Sequence, residues 1–245
     1  MSEITEGHTV KGYDVDLAGL RLRLLEMGGL VLDQVQRAVN ALVNGDEALA
    51  HSVLTREDEV NAYDLRIDED SVALIARRQP MGSDLRAIIS IARAVSDLER
   101  IGDEAKKIAH AVVRGDGKRS SARPSPQLAR DARHMGRFAL EMLRDALDAF
   151  DRMDPVAGVE VVRRDQELNA EFQAALRRLL TQVMEDPRRL PAMLDAVTVL
   201  KSLERVGDHA KNIARYVLYL VEGRDVRHED TAVLIAEGAR KSAQS

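Results

Sequence analysis

The sequence predicts an all-α protein built as two tandem three-helix bundles related by pseudo-twofold symmetry. Three observations carry that expectation. Apolar residues recur at steps of three, four and seven almost throughout, the period of an amphipathic helix. The composition is poor in strand formers, with 3% aromatics, no Trp and few β-branched runs. The second half of the chain also repeats the first.

Leu17, Leu20, Leu24, Met27, Val31, Ala38 and Leu42 draw one apolar stripe along a first helix from about Asp14 to Asn44. Gly45 stops it, and Asp46 is placed to cap the next. The second helix is expected to run unbroken from Asp46 to about Arg78, where Gln79 and Pro80 end it. A third begins near Asp84, with Ile91, Ala94, Leu98, Ile101, Ala105, Ile108 and Val112 on its seam. The Gly/Ser/Pro-rich, basic stretch RGDGKRSSARPSP then reads as a linker. Helix four follows over about Gln127 to Asp151, and helix five starts near Asp154 and Pro155, where Pro suits the first turn. Helix six covers about Pro187 to Glu222, with Ala196, Val199, Leu203, Val206, Ala210, Ile213, Val217 and Leu220 on its seam. The expected division is a tail over 1–15, a first repeat over 16–113, a linker over 114–126, a second repeat over 127–222 and a tail over 223–245. In that last tail only AVLIA at 232–236 is apolar, so a short final helix or a frayed end both fit.

The repeat is legible residue by residue. At an offset of 108, Met27 and Gly28 match Met135 and Gly136, Ala38 matches Ala146, Asp46 matches Asp154, Arg56 matches Arg164, and Asn61 and Ala62 match Asn169 and Ala170. The offset falls to 105 after the turn holding Pro80, and there LERIGDEAKKIA (Leu98 to Ala109) matches LERVGDHAKNIA (Leu203 to Ala214). Short turns within each half make successive helices antiparallel neighbours.

Composition excludes several function classes. A net charge of −5, from 36 basic and 41 acidic residues, gives no chain-wide cationic surface for nucleic acid. The absence of Cys removes disulfides, thiolate metal sites and cysteine nucleophiles, and suits a reducing compartment. The polar, acidic start MSEITEGHTVKGYDVD lacks the pattern of a signal peptide, and no apolar run is long enough for a bilayer span. Phosphate-cradling and hydrolase motifs are missing, so no catalytic residue is assigned.

The chemistry-bearing pattern is a duplicated ExxxD. Glu99 with Asp103, and Glu204 with Asp208, each sit one turn apart on a helix face beside the apolar seam. Helix two supplies Glu57 and Asn61, and its copy supplies Asp165 and Asn169. Asp64 also interrupts the seam of helix two, where the copy has Phe172. Antiparallel packing would bring three carboxylates and an amide together in each half. Such an all-oxygen set suits a hard divalent or trivalent ion, or a small carboxylate-bridged cluster, with Mg, Mn, Ca, Fe and Zn all open. Arg100, Lys106 and Lys107, with Arg205 and Lys211 in the copy, are close enough to neutralise the acids instead. Gly102 and Gly207 lie mid-helix inside each motif, which points first to close packing. The histidines are scattered, and His209 has no counterpart in the other half, where Glu104 stands.

Two three-helix repeats, ARRQPMGSDLRAIISI, DLERIGDEAKKIA and SLERVGDHAKNIA resemble the PhoU family of phosphate-specific transport accessory proteins, over about Asp16 to Leu220. The resemblance implies metal ions or clusters at Glu99/Asp103 and Glu204/Asp208 in some members. It also implies a cytoplasmic negative regulator of the phosphate-starvation response and of high-affinity phosphate uptake. Such a regulator contacts a membrane sensor histidine kinase (PhoR type) and the phosphate transporter ATPase (PstB type), is often a homodimer, and is not an enzyme. The stretch from Arg77 to Arg86 is characteristic of the family, and the second repeat departs from it with EDPRRLP. The alternative is a carboxylate-bridged metal-binding or storage protein of di-iron type. That class uses Glu-x-x-His pairs, and the acids here lack the His.

Overall fold

The computed structural model describes residues 11–113, 124–227 and 229–242, and these form helices joined by turns, with no strand among them. The first tail up to residue 10 and most of the expected linker, 114–123, lie outside the described residues. The helices are α1 (Lys11–Asn44), α2 (Glu47–Thr55), α3 (Glu57–Arg78), α4 (Ser83–Val113), α5 (Pro126–Arg152), α6 (Pro155–Glu185), α7 (Leu190–Glu222) and α8 (Thr231–Ser242). A single 3₁₀ turn, Pro187–Arg189, leads into α7.

The same local chemistry starts and stops equivalent helices. Asp46 Oδ1 accepts from the Leu49 N–H at 2.9 Å, and Asp154 Oδ1 accepts from Val156 and Ala157 at 2.9 and 3.0 Å. Each cap satisfies orphan donors of a first turn. Just before them, Gly45 and Met153 both take the left-handed conformation, with φ of 65° and 52°. Each following Asp N–H then closes back on the previous helix, onto Ala41 and Ala149, at 2.9 Å in both cases.

The expected second helix is broken in two. The chain turns at Arg56, separating α2 from α3, whereas its counterpart α6 runs unbroken through Arg164. Ser52 and Thr55 explain the difference. Their hydroxyls bond back to the carbonyls of Leu49 and Ser52, at 2.7 and 3.2 Å, and so compete with the backbone ladder. The equivalent residues in α6 are Glu160 and Arg163, an i,i+3 ion pair at 2.7 Å that supports a helix. Arg56 itself ties the break to α1 through Asp33 (2.6 Å), as Arg164 ties α6 to Glu141 on α5 (2.8 Å).

A single apolar core runs through both halves. α4 and α7 lie antiparallel at its centre, with α1 and α5 crossing beside them, and α2, α3 and α6 outside. Leu24, Leu98, Val206 and Ile213 are fully buried here, each worth roughly 1.5–3 kcal/mol relative to exposure. The α1–α5 contact is reciprocal. A Cβ on Gly28 would strike Leu147, and one on Gly136 would strike Val39, the residue equivalent to Leu147 in the other half. Each helix thus fits its glycine against the other's side chain, as a twofold contact requires.

The two motif glycines are not equivalent. A Cβ on Gly207 would overlap the Leu168 side chain, whereas one on Gly102 would lie 3.3 Å from the amide oxygen of buried Gln34 and 3.8 Å from Val60. Close packing therefore accounts for the glycine of the second half. Gly207→Ala is expected to cost about 1–3 kcal/mol in urea unfolding, and Gly102→Ala to be neutral or to gain up to about 1 kcal/mol of helix propensity. Equal losses at both sites would contradict this packing.

Candidate functional site

The candidate site forms twice, where α3 packs on α4 and where α6 packs on α7. In the first half Asn61, Glu99 and Asp103 line one cleft with Gln34, Val60 and Lys106. Lys106 Nζ stands 2.6 Å from Asp103 Oδ1. Glu57 opens α3 beside this cleft, and its side chain lies outside the described residues. Among the described residues no group of three or more carboxylate or His side chains is drawn close enough to hold a metal ion.

In the second half Lys211 occupies the centre. Its Nζ donates to Asp165 Oδ2 at 2.7 Å and to Asp208 Oδ1 at 2.8 Å, while Asn169 Nδ2 donates to the same Asp165 oxygen at 3.2 Å. Burial opposes the Lys211 ammonium, but its bonds to Asp165 and Asp208 outweigh that and hold it charged. Glu204 turns to a second ammonium, Lys201, at 2.5 Å, and Lys201 lies 5.4 Å from the centre of the Phe172 ring.

The two sets look alike in sequence and differ in charge. Phe172 and Lys201 of the second half are replaced in the first by Asp64 and Ser96. Burial, then Asp103 and then Asp64, hold Glu99 above the usual carboxylate range. Burial and Asp68 do the same to Asp64. The second half carries its own ammonium groups. The first half pairs Lys106 with Asp103 alone and leaves Glu99 facing Asp103 and Asp64 across a mostly oxygen-lined cleft.

Sequence reasoning missed a third polar cluster at the seam between the halves. Asp97, buried on α4, meets His209 Nδ1 at 2.7 Å, the Tyr216 hydroxyl at 2.7 Å and Asn212 Nδ2 at 3.3 Å, all on α7. His209 is therefore buried, while His51, His110 and His134 are exposed and His8 and His228 lie outside the described residues. Burial, and then the bond to Asp97, raise the Tyr216 hydroxyl above its ordinary range. The available signal was spacing. Asp97 lies four residues before Ile101, and His209 four before Ile213, so both ride on stripes facing a second neighbour.

Comparison with known proteins supports the repeat. The PhoU domain family model matches residues 24–112 and 132–217, one match in each half. A phosphate-specific transport system accessory protein PhoU homolog of Pseudomonas aeruginosa is 45% identical over 223 residues, covering 90% of this chain and 90% of the relative. The phosphate-specific transport system accessory protein PhoU of Escherichia coli is 37% identical over 221 residues, again with 90% of each covered. The crystal structure of PhoU from Pseudomonas aeruginosa superposes with a TM-score of 0.81 at 45% identity, covering 86% of this chain and 100% of that one. That of the phosphate transport system regulatory protein PhoU from Streptococcus pneumoniae gives 0.77 at 29% identity, covering 86% and 98%. No described helix is long and apolar enough to cross a membrane.

Two substitutions test the charge difference. Lys211→Met strands the buried Asp165 and should cost roughly 3 kcal/mol in chemical denaturation, with most of it recovered by adding Asp165→Asn. Glu99 binds its proton more tightly in the folded than in the unfolded chain. Its charge therefore lowers stability as pH rises through and above the ordinary carboxylate range. Glu99→Gln should raise the melting temperature by about 1 °C at pH 7, and the advantage should vanish below about pH 4.

Proposed function

This chain belongs to the PhoU family, and from that premise we propose that it is an accessory protein of phosphate-specific transport that acts by contact rather than by turnover. It is a negative regulator of the phosphate-starvation response and of high-affinity phosphate uptake. Its partners are a sensor histidine kinase of PhoR type and the phosphate transporter ATPase of PstB type. It works as a homodimer in the cytoplasm, drawn to the inner face of the membrane by those partners. The observation that carries this reading is the pair of family matches, one per half, together with 45% identity along nine-tenths of a PhoU homolog. Long helical faces around one shared core are a physical basis for such docking.

The metal part of the proposal rests on the first half. Glu99, Asp103 and Asn61, with Glu57 at the start of α3, would hold a hard divalent ion and brace α3 against α4. In the second half Asp165 and Asp208 pair with Lys211, Glu204 pairs with Lys201, and Asn169 donates to Asp165, so an ion there would have to displace these lysines. What an ion would supply is rigidity of the docking surface and relief of the repulsion at Glu99.

Deletion of the gene in its host should leave alkaline phosphatase high in phosphate-rich medium, with repression restored by the intact gene. Repression that survives deletion would overturn the regulatory reading. Manganese or magnesium should raise the melting temperature of the purified protein. Glu99→Gln with Asp103→Asn should abolish that rise, and Glu204→Gln with Asp208→Asn should leave it. If capture of both membrane partners is unchanged when all four acids become Ala, the ion does not shape the docking surface.

A further inference from the structure

The last helix, α8, lies beyond both family matches and is attached differently from the rest of the fold. Leu234 is its one fully buried large side chain among the described residues. With Leu218, Val226 and Val159 it forms a small cluster separate from the main core. Gly238 brings α8 so close to α6 that a Cβ there would lie 2.6 Å from Val159 Cγ1. The polar attachments sit at the edge of the contact. Arg224 Nη2 donates to Glu229 at 2.6 Å and to Glu237 at 2.8 Å, and Arg215 Nη2 donates to Thr231 at 3.1 Å. These ion pairs are about 40% exposed, the class that stabilises little. A void of about 10 Å³ remains between α8 and the surface beneath it, and Val156 beside it is 40% exposed.

The duplicated architecture indicates that the groove under α8 is not demanded by the bundle. Val159 and Leu218 correspond to His51 and Val113 in the first half, and His51 is exposed. The first half thus places an exposed imidazole where the second places Val159. The described residues of the connection, 223–227 and 229–230, are non-helical, and the chain leaves α7 through Gly223 at φ 72°, so α8 is not a continuation of that helix. A helix with one buried anchor, exposed ion pairs and a non-helical connection belongs to the low-stability end of a structure.

We infer that the groove formed by Val156, Val159 and Leu218 is a docking site for an amphipathic helix of a partner protein, and that α8 is its resident occupant, displaced when the partner docks. The chemistry of that partner helix is given by what α8 presents: a leucine and a small residue one turn apart on the apolar face, as Leu234 and Gly238 are, and a carboxylate placed for Arg224, as Glu237 is. The inference rests on the reading of this chain as one that acts by contact, and it names a surface for that contact. Its test uses neither kinase nor transporter, so its failure would leave that reading standing.

The probe is the chain's own segment 229–242, EDTAVLIAEGARKS, as a fluorescein-labelled peptide. Its binding is followed by fluorescence anisotropy on full-length proteins. Leu234→Asp releases the resident helix, and the peptide should bind this protein about tenfold or more tighter than wild type, because the resident helix no longer competes. Adding Val159→Asp should abolish binding. The chain has no Cys, so Val159→Cys with Gly238→Cys gives one disulfide that locks α8 down. The oxidised form should not bind the peptide, and reduction should restore wild-type binding. A peptide with lysine in place of the glutamate that faces Arg224 should bind more weakly. Equal binding to wild type and Leu234→Asp, equal binding before and after reduction of the locked protein, or no binding to either opened form, would overturn the proposal. The oxidised and reduced comparison decides the matter even if Leu234→Asp loses its melting transition.

Discussion

α4 and α7 run antiparallel through the centre of the molecule, and each has apolar neighbours on nearly every side. Burying a helix so completely leaves little room for side chains that do not fit, which is why the reciprocal contacts beside it are so specific. Gly28 accepts Leu147, and Gly136 accepts Val39. Neither half could keep its own core closed with the other removed, since α1 and α4 would lose the surfaces of α5 and α7 together. The acid-lined clefts lie on the outer side of the same two central helices, so the packing of the centre fixes where the carboxylates stand.

Much of this was legible in the sequence, for a physical reason. Stripes such as Leu17 to Leu42 and Ala196 to Leu220 follow the helical period over many turns, and Asp46, Asp154 and Gly45 mark the ends with chemistry that acts locally. The break at Arg56 was not legible, because it arises from hydroxyls of Ser52 and Thr55 competing weakly with the ladder, an effect that a long apolar pattern normally overrides. The apolar run at 232–236 left the final helix open, and only its packing on Val159 decides it. Within the candidate site, the acids themselves and Lys211 could be read from the repeat. Lys201 could not, because its counterpart is Ser96 and a repeat reveals what is shared rather than what is not.

Duplication followed by divergence explains the charge pattern of the two clefts. The two helix pairs share the ExxxD and the lysine that follows it, and a handful of substitutions shift the balance of charge between them. Phe172 and Lys201 give one cleft a second ammonium beside Lys211, while Asp64 and Ser96 leave the other with Lys106 and an extra carboxylate. A change of this size needs no alteration of the backbone, which is why the glycines, caps and tethering arginines remain paired across the halves.

The Asp97 cluster has a consequence for how the polypeptide recognises itself. Position 97 of the first half faces position 209 of the second, and the counterpart of His209 in the first half is Glu104. Were two first halves from different molecules to associate in the same geometry, Asp97 would confront Glu104, two carboxylates in a dry seam. Two second halves would set Ser202 against His209 and leave the imidazole without its acid. Only the pairing of unlike halves satisfies the buried groups. One hydrogen-bonded acid thus acts as a key against mispairing.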